Sequence, residues 1–431
     1  MPIITKGPKG TQDLLPKQTY KWQIVEDVMR NEAAVHGFGE IRTPVFEHTE
    51  LFLRGVGDTT DVVEKQMYTF EDKAHRSITL KPEGTAGVVR SFMESGIYND
   101  GYPVKLYYLT PCYRYEKPQA GRLREFHQFG IEMFGTAEPI ADAEIIVFAK
   151  NIFDRLGVKN LSLEINSIGC PKCRANYHKA LKKYFESYRD QLCDTCNSRL
   201  DRNPMRILDC KSPVCSKIAE GAPKIIEFLC DECSEHFSSV KKYLTASGLE
   251  YTVNPNIVRG LDYYSRTVFE FVSNDLGAQS TVCGGGRYDG LVEEMGGKPT
   301  PGLGFGMGLE RLMLVLDAQG IEFPPEESCE VFIASMGADS LVKSFELVNK
   351  LRDCGINAAC DLCGRGFKAQ LKYANKIKAS HLIVIGDEEI ASGKANLKDM
   401  ETGKTVKISL VGEKFIDDYV TNITMQEDMP F

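Results

Sequence analysis

The sequence predicts an α+β protein with a cysteine-rich helical module inserted into its main domain and a small α/β domain at its C-terminus. Three observations carry this. Residues 104–135 read as two long strands joined by the turn EKPQAGR. Residues 167–254 hold eight of the fourteen cysteines, several helical stretches and few strand signals. After the Pro/Glu-rich linker EFPPEES, residues 326–431 alternate strand and helix, the pattern of a small α/β unit. The expected domains are therefore 1–166 with 255–325, the insertion 167–254, and 326–431.

Taken in order, Lys17–His36 reads as an amphipathic helix with Trp22, Val25 and Met29 on one face, stopped by Gly37. FGEIRTPVFEH follows as a strand interrupted by Pro44, which demotes it to an edge or an interface. A strand, the turn KPEGT and a helix starting near a capping Thr85 come next. Ala141–Leu156 repeats apolar residues at helical spacing, and LSLEIN is a strand. In the last domain CEVFIAS, INAACDL and HLIVIGD read as strands, 339–353 and 367–378 as helices, and DMETGK as a hairpin.

Hydrophobic content of 42% and charged content of 26% are those of a soluble globular chain of 431 residues, long enough for several domains. The net charge of −8 excludes a general polyanion binder, so any nucleic-acid contact needs a local basic patch. MPIITKGPKGTQDLLP lacks the apolar segment of a secretory signal, and no apolar run is long enough to span a bilayer. The expectation is a cytoplasmic protein without a membrane partner. In that compartment Cys-x-x-Cys pairs point to metal or redox chemistry rather than disulfides.

Several constellations could carry chemistry. On the second long strand Gln128, Gly130 and Glu132 share a face with Phe126 and Phe134, and Arg114 on the first strand shares one with Cys112 and Glu116. Arginine, glutamine and glutamate around a glycine make a poor core and a good pocket. GLGFGMGLER places Gly302, Gly304, Gly306 and Gly308 on one strand face, read as bare backbone on which a planar ligand can lie, followed by Arg311. The spacing matches neither a dinucleotide fingerprint nor a P-loop, and Gly403–Thr405 is a hairpin turn. RGLDYYSRTVFEF, Arg259 to Phe271, sets an arginine before a strand expected to begin at Tyr263 or Tyr264; on a strand, adjacent tyrosines point to opposite faces, so one can face a pocket while the other packs. Arginines with no nucleophilic Ser or Cys motif suggest charge stabilisation in phosphoryl or nucleotidyl transfer, with the substrate supplying the nucleophile.

With these residues the chain closely resembles the histidyl-tRNA synthetases, a family of class II aminoacyl-tRNA synthetases, over nearly its whole length. RTPVFEHTELF resembles class II motif 1, YRYEKPQAGRLREFHQFGIEMFG motif 2, and GLGFGMGLERL motif 3, while KPEGT and RGLDYY resemble the family's histidine-specific segments. The resemblance implies a six-stranded antiparallel catalytic sheet flanked by helices, an anticodon-binding C-terminal domain and a homodimer. It implies activation of L-histidine by ATP with Mg2+ and transfer of the histidyl group to tRNA(His).

Roles follow position by position. Glu83, Gly84, Thr85 and Gln128 would hold the amino-acid end; Glu132 and Tyr264 would face the imidazole, and Tyr263 would line the pocket. Arg114 would bind both histidine and the α-phosphate, with Arg122 and Arg311 on the remaining phosphates and the far end of ATP. Arg259, between carboxylate and α-phosphate, would join Arg114 as a catalytic group. Arg365, Lys368, Lys372, Lys376 and Lys378 would face tRNA. The competing expectations are another class II synthetase and a non-catalytic regulatory paralogue.

The insertion departs from the family. Cys170/Cys173, Cys193/Cys196, Cys210/Cys215 and Cys230/Cys233 could fill one or two tetrahedral structural Zn2+ sites, with reduced thiols as the alternative and the pairing left open. Cys360 and Cys363 are read as packing thiols, Cys112 and Cys283 have no assigned role, and His127 is read as structural.

Overall fold

A computed structural model of the chain describes residues 5–57, 60, 62–210, 212–257, 260–275, 281–326 and 329–427. Arg259 lies outside them. Residues 1–323 form one compact unit and 324–431 a second.

The strands of the first unit are β1 (Gly39–Glu40), β2 (Phe46–His48), β3 (Tyr68–Glu71), β4 (Ser77–Leu80), β5 (Val104–Tyr113), β6 (Glu125–Phe134), β7 (Leu161–Ser167), β8 (Thr252–Val253), β9 (Ser265–Ser273), β10 (Thr281–Arg287) and β11 (Gly302–Gly308). Its large sheet runs β1-β5-β6-β11-β10-β9-β7-β8. The six central strands pair antiparallel, and β1 and β8 add short parallel edges. Pro44 splits the segment FGEIRTPVFEH: Gly39–Glu40 pairs with β5, whereas Phe46–His48 joins a separate three-stranded sheet, β2-β4-β3. Proline has no N–H for a ladder, so one strand cannot run through it.

The two-residue period of β6 and β11 separates two environments. One face carries Phe129, Ile131, Met133, Leu303, Phe305 and Met307, all buried. Helices Pro16–Val35, Pro139–Arg155, Asp231–Ala246 and Leu309–Ala318 pack on it through Val25, Met29, Phe148, Ile152, Val240 and Leu312. Removing a side chain of this size from water is worth about 1.5–3 kcal/mol, so this face supplies much of the unit's cohesion. The opposite face of the same strands is free to carry polar groups, and the candidate site lies there.

Between β7 and β8 the chain forms helices Pro171–Glu186, Asp194–Arg202, Pro213–Glu220 and Asp231–Ala246, with the short turn Pro204–Ile207. Their apolar residues Tyr177, Leu181, Phe185 and Leu200 share one buried cluster with Tyr108, Tyr263, Tyr264 and Tyr288. The insertion is thus packed continuously with the tyrosines of the polar face.

In the second unit β12 (Val331–Ser335), β13 (Ala358–Cys360), β14 (His381–Ile385), β15 (Lys394–Asp399) and β16 (Thr405–Ser409) are ordered β13-β12-β14-β15-β16. The first three are parallel and the last two antiparallel, with Gly403 at a φ of 74° in the closing turn. Helices Ala338–Asp353 and Phe367–Lys376 connect the parallel strands. Lys368, Lys372 and Lys376 recur every four residues on the second helix and are exposed, as is Lys378. Arg365 instead pairs with Asp361 at 2.7 Å and lies over the Tyr373 ring. Cys360 is buried and Cys363 exposed. Among the described residues no helix is long and apolar enough to cross a membrane.

Candidate active site

A cavity of about 210 Å³ opens on the polar face of the large sheet. Glu83, Thr85, Arg114, Arg122, Gln128, Tyr263, Tyr264 and Arg311 all line it, with Tyr108, Glu116, Gly284, Gly306, Gly308 and Glu310. Segments remote in sequence converge because β6 and β11 are direct neighbours, with Gly304 opposite Glu132, Gly306 opposite Gly130 and Gly308 opposite Gln128.

Glu132 is buried at 1% exposure, just behind the cavity wall. Its Oε1 accepts hydrogen bonds from the Thr85 hydroxyl at 2.7 Å and the Tyr108 hydroxyl at 3.2 Å, and Oε2 accepts one from Tyr288. Burial pushes its carboxyl up to about 8, against the pull of the three hydroxyls. The same burial, with the nearby carboxylates, raises the phenols of Tyr108 and Tyr288 well above their ordinary value.

The glycine face is not bare along its length. A Cβ on Gly304 would lie 2.1 Å from Glu132 Oε2, and one on Gly302 would lie 2.4 Å from the Tyr288 ring. These two glycines make room for protein groups. Of the four glycines of this strand, only Gly306 and Gly308 border the cavity, where Gly121, Gly260 and Gly284 join them. Gly84 and Gly130 serve one ring: a Cβ on either would come within 2.3 Å of Tyr108.

Thr85 opens the helix Thr85–Ser95 rather than capping it; the N-cap residue is Gly84. The first amides are taken by Glu83, whose carboxylate accepts from Thr85 N at 2.7 Å and Ala86 N at 2.8 Å. Thr85 keeps its hydroxyl for Glu132. The helix N-terminus favours a charged Glu83, while burial raises its carboxyl above the ordinary range.

Among the described residues, three guanidinium groups also line the cavity. Arg114 Nε donates to Pro82 O at 2.8 Å, and its guanidinium lies over Phe126. Arg122 pairs with Glu116 at 2.5 Å. Arg311 donates to Gly121 O at 3.1 Å and Thr281 O at 2.8 Å. Burial, and then repulsion from Arg122 and Arg114, lower the Arg311 pKa from its ordinary value. An anion between the three would relieve that repulsion.

Tyr263 and Tyr264 precede β9, so strand alternation does not govern them. Both are buried, both line the cavity, and their rings pack 4.6 Å apart between centroids, tilted by 46°. Asp262 just before them is held by Arg206 of the insertion at 2.8 Å. His127 occupies the opposite face, bonded through Nδ1 to Glu310 at 2.9 Å, and that bond raises its pKa. Cys112 donates to Gln128 Oε1 at 3.3 Å, and burial pushes its thiol up to about 12. Cys283 is buried in the core opposite.

Sequence pattern alone does not single out Tyr108, Tyr288, Arg174 or Arg206. Tyr108 was within reach, because the face read from Arg114 and Cys112 continues to it by period two and the register sets it against Gly130. Tyr288 arrives at Glu132 from beyond the end of β10, where no local period points to it.

The eight insertion cysteines form two clusters, Cys170/Cys173/Cys230/Cys233 and Cys193/Cys196/Cys210/Cys215, whose sulfurs lie within 4.8 Å of one another. All fourteen cysteines are thiols. The Sγ separations of Cys170–Cys173, Cys170–Cys230 and Cys193–Cys210 are 3.6, 4.0 and 3.9 Å. A tetrahedral zinc with Zn–S of about 2.3 Å has sulfurs about 3.8 Å apart, so the donor sets fit that ion.

Family models agree with this architecture. One described as Histidyl-tRNA synthetase matches residues 10–176 and 217–312, and one described as Anticodon binding domain matches 330–416. The stretch left between the first two ranges holds Cys193, Cys196, Cys210 and Cys215. A histidine–tRNA ligase of Caldanaerobacter subterraneus subsp. tengcongensis is 55% identical over 406 residues, 94% of this chain and 97% of the relative. One of Acetivibrio thermocellus is 56% identical over 408 residues, 95% and 98% of the two chains. The crystal structure of apo S. aureus histidyl-tRNA synthetase is similar at a TM-score of 0.81 with 41% identity, covering 94% of this chain and 98% of that one. Matches of this extent, on a chain whose sheet brings the motif residues to one cavity, show that it belongs to the histidyl-tRNA synthetase family.

Proposed function

We propose that this cavity activates L-histidine with ATP, taken as its Mg2+ complex, and that the histidyl group then passes to tRNA(His). As a member of its family the chain is an ATP-dependent aminoacyl-tRNA ligase. The observation that carries the residue assignment is a carboxyl held by three hydroxyls just behind the wall of a cavity that three arginines line.

Glu132 and Tyr264 address the two nitrogens of the imidazole. Thr85 and Tyr108, which share Oε1 of Glu132, both line the cavity, so a substrate N–H can join the network there. A pocket built to satisfy both nitrogens rejects side chains lacking them, because its own buried polar groups would be left unpaired. Gln128, Glu83 and Thr85 take the ammonium end, and Gly84 admits the Tyr108 ring that closes the pocket floor. Tyr263 packs against Tyr264 and Tyr288 and keeps water from the ring site.

At the other end Arg114 takes the α-phosphate, Arg122 and Arg311 the remaining phosphates, and Gly306 and Gly308 leave backbone open to the nucleotide. The histidine carboxylate attacks the α-phosphorus, an O–P bond forms and pyrophosphate leaves. Negative charge gathers on the phosphate oxygens during this step, and fixed guanidinium groups stabilise it without reorganising. Arg259 is assigned the same duty between carboxylate and phosphate.

The exposed lysines 368, 372, 376 and 378 give the second unit a face suited to tRNA phosphates. A homodimer is supported by Val45, Phe46 and Phe70, which leave apolar surface exposed on the small sheet beside Pro44. The cysteine clusters are assigned as structural Zn2+ sites. Histidine-dependent ATP–pyrophosphate exchange tests the histidine pocket: Glu132→Ala should show none, and exchange at the wild-type rate would remove Glu132 from the assignment.

A further inference from the structure

Each cysteine cluster of the insertion presents one arginine to the same short segment of the site. Arg174 directly follows Cys173 and donates from Nη1 to Tyr264 O at 3.2 Å. Arg206 lies four residues before Cys210, is 8% exposed, and donates from Nη2 to Gly260 O at 3.0 Å and Asp262 Oδ1 at 2.8 Å. Asn203 adds a contact to the same Asp262 oxygen at 3.3 Å. The segment 260–264 is therefore held from behind by two guanidinium groups while Tyr263 and Tyr264 face the cavity.

The clusters are placed to fix those arginines. Cys170, Cys193 and Cys230 are N-cap residues of helices 171–186, 194–202 and 231–246, and Cys173, Cys196 and Cys233 follow three residues later at the buried end of the first turn. An ion in the first cluster joins the starts of helices 171–186 and 231–246. Arg174 sits in the first of these. An ion in the second closes the chain from Cys196 to Cys210, and that loop carries the turn 204–207 with Arg206. The turn has little regular structure of its own, so the closure constrains Arg206 directly.

We propose that each cluster binds one Zn2+ and that the two ions hold Arg174 and Arg206 on residues 260–264, so that metal occupancy sets the affinity for histidine. This rests on the reading of Tyr263 and Tyr264 as histidine-binding residues. Arg174 and Arg206 are positioning residues: they touch the segment from the side away from the cavity and act through it.

The test uses the full chain purified under reducing conditions. Inductively coupled plasma mass spectrometry should find two zinc ions per chain, and growth on cobalt should give the visible bands of tetrahedral Co2+–thiolate. Cys210→Ser should keep one zinc and raise the histidine KM in pyrophosphate exchange by about 10- to 100-fold, the usual cost of losing a supporting partner, with the ATP KM little changed. Arg206→Met should keep both ions and show the same split, and Arg206→Lys should recover part of it. Because Arg206→Met leaves all eight thiols in place, it answers even if Cys210→Ser fails to fold. No zinc and no cobalt spectrum would overturn the metal sites. Bound zinc with an unchanged histidine KM in Arg206→Met would overturn the positioning role. Bound zinc with no histidine-dependent exchange in the unaltered chain would overturn the histidine reading and the proposal with it.

Discussion

Gly304 makes room for Glu132: the two are register partners on β11 and β6, and a Cβ on Gly304 would stand 2.1 Å from Glu132 Oε2 and 2.1 Å from the Ile131 carbonyl. Neither neighbour can yield cheaply, since one is backbone and the other is held by hydroxyls of Thr85, Tyr108 and Tyr288. Gly304→Ala should therefore cost on the order of 1–3 kcal/mol of stability and raise the histidine KM. Urea denaturation and pyrophosphate exchange measure the two effects. Gly308→Ala, with open space around its Cβ, is the comparison and should cost far less stability.

The Glu132 carboxyl also fixes a pH dependence. Its folded value of about 8 is above the roughly 4.3 of an unfolded glutamate. The folded state holds the proton more tightly, so the stability due to this group is fully present below the unfolded value and is lost as pH rises toward about 8. Glu132→Gln removes that loss. Relative to wild type, the denaturation midpoint of the variant should climb across this window. A difference that stays constant with pH would contradict the assignment.

Arg311 is read as a phosphate ligand crowded by Arg114 and Arg122. Arg311→Met should lower the adenylation rate by about 10²–10³-fold, the usual effect of removing one fixed charge stabiliser. Histidine binding without ATP, followed by calorimetry, should persist, because Arg311 lies at the end of the cavity away from Glu132. Loss of both together would show instead that its hydrogen bonds to Gly121 and Thr281 hold the cavity open.

Lys368 and Lys372 test the second unit. The double change to Gln should weaken tRNA binding and lower the slope of log affinity against log salt by about 1.5, near 0.7–0.9 for each phosphate no longer neutralised. Pyrophosphate exchange, which needs no tRNA, should be unaffected. An unchanged salt slope would place the tRNA elsewhere.

Much of this was legible in the sequence because its information is periodic. The two-residue alternation of β6 and β11 put core residues on one face and Gln128, Glu132 and the glycines on the other, and the sheet keeps that division. The helix Ala141–Leu156 is found at Pro139–Arg155 for the same reason. What the pattern could not give is which group fills the space a glycine leaves. Gly302 and Gly304 read as open backbone, yet Tyr288 and Glu132 occupy them, and Tyr288 comes from outside the strand. Alternation puts the two adjacent tyrosines on opposite faces of a strand, yet the strand begins only at Ser265 and does not govern them. The cysteine spacing marked eight ligands, but their grouping depends on how the helices from 171 to 246 fold back on one another.

The measurement that tests the central claim most directly is ATP–pyrophosphate exchange with a panel of amino acids. Histidine should support exchange, while proline, threonine and glycine should give rates near background, because only an imidazole satisfies the network around Glu132. Exchange with proline but not histidine would contradict the account.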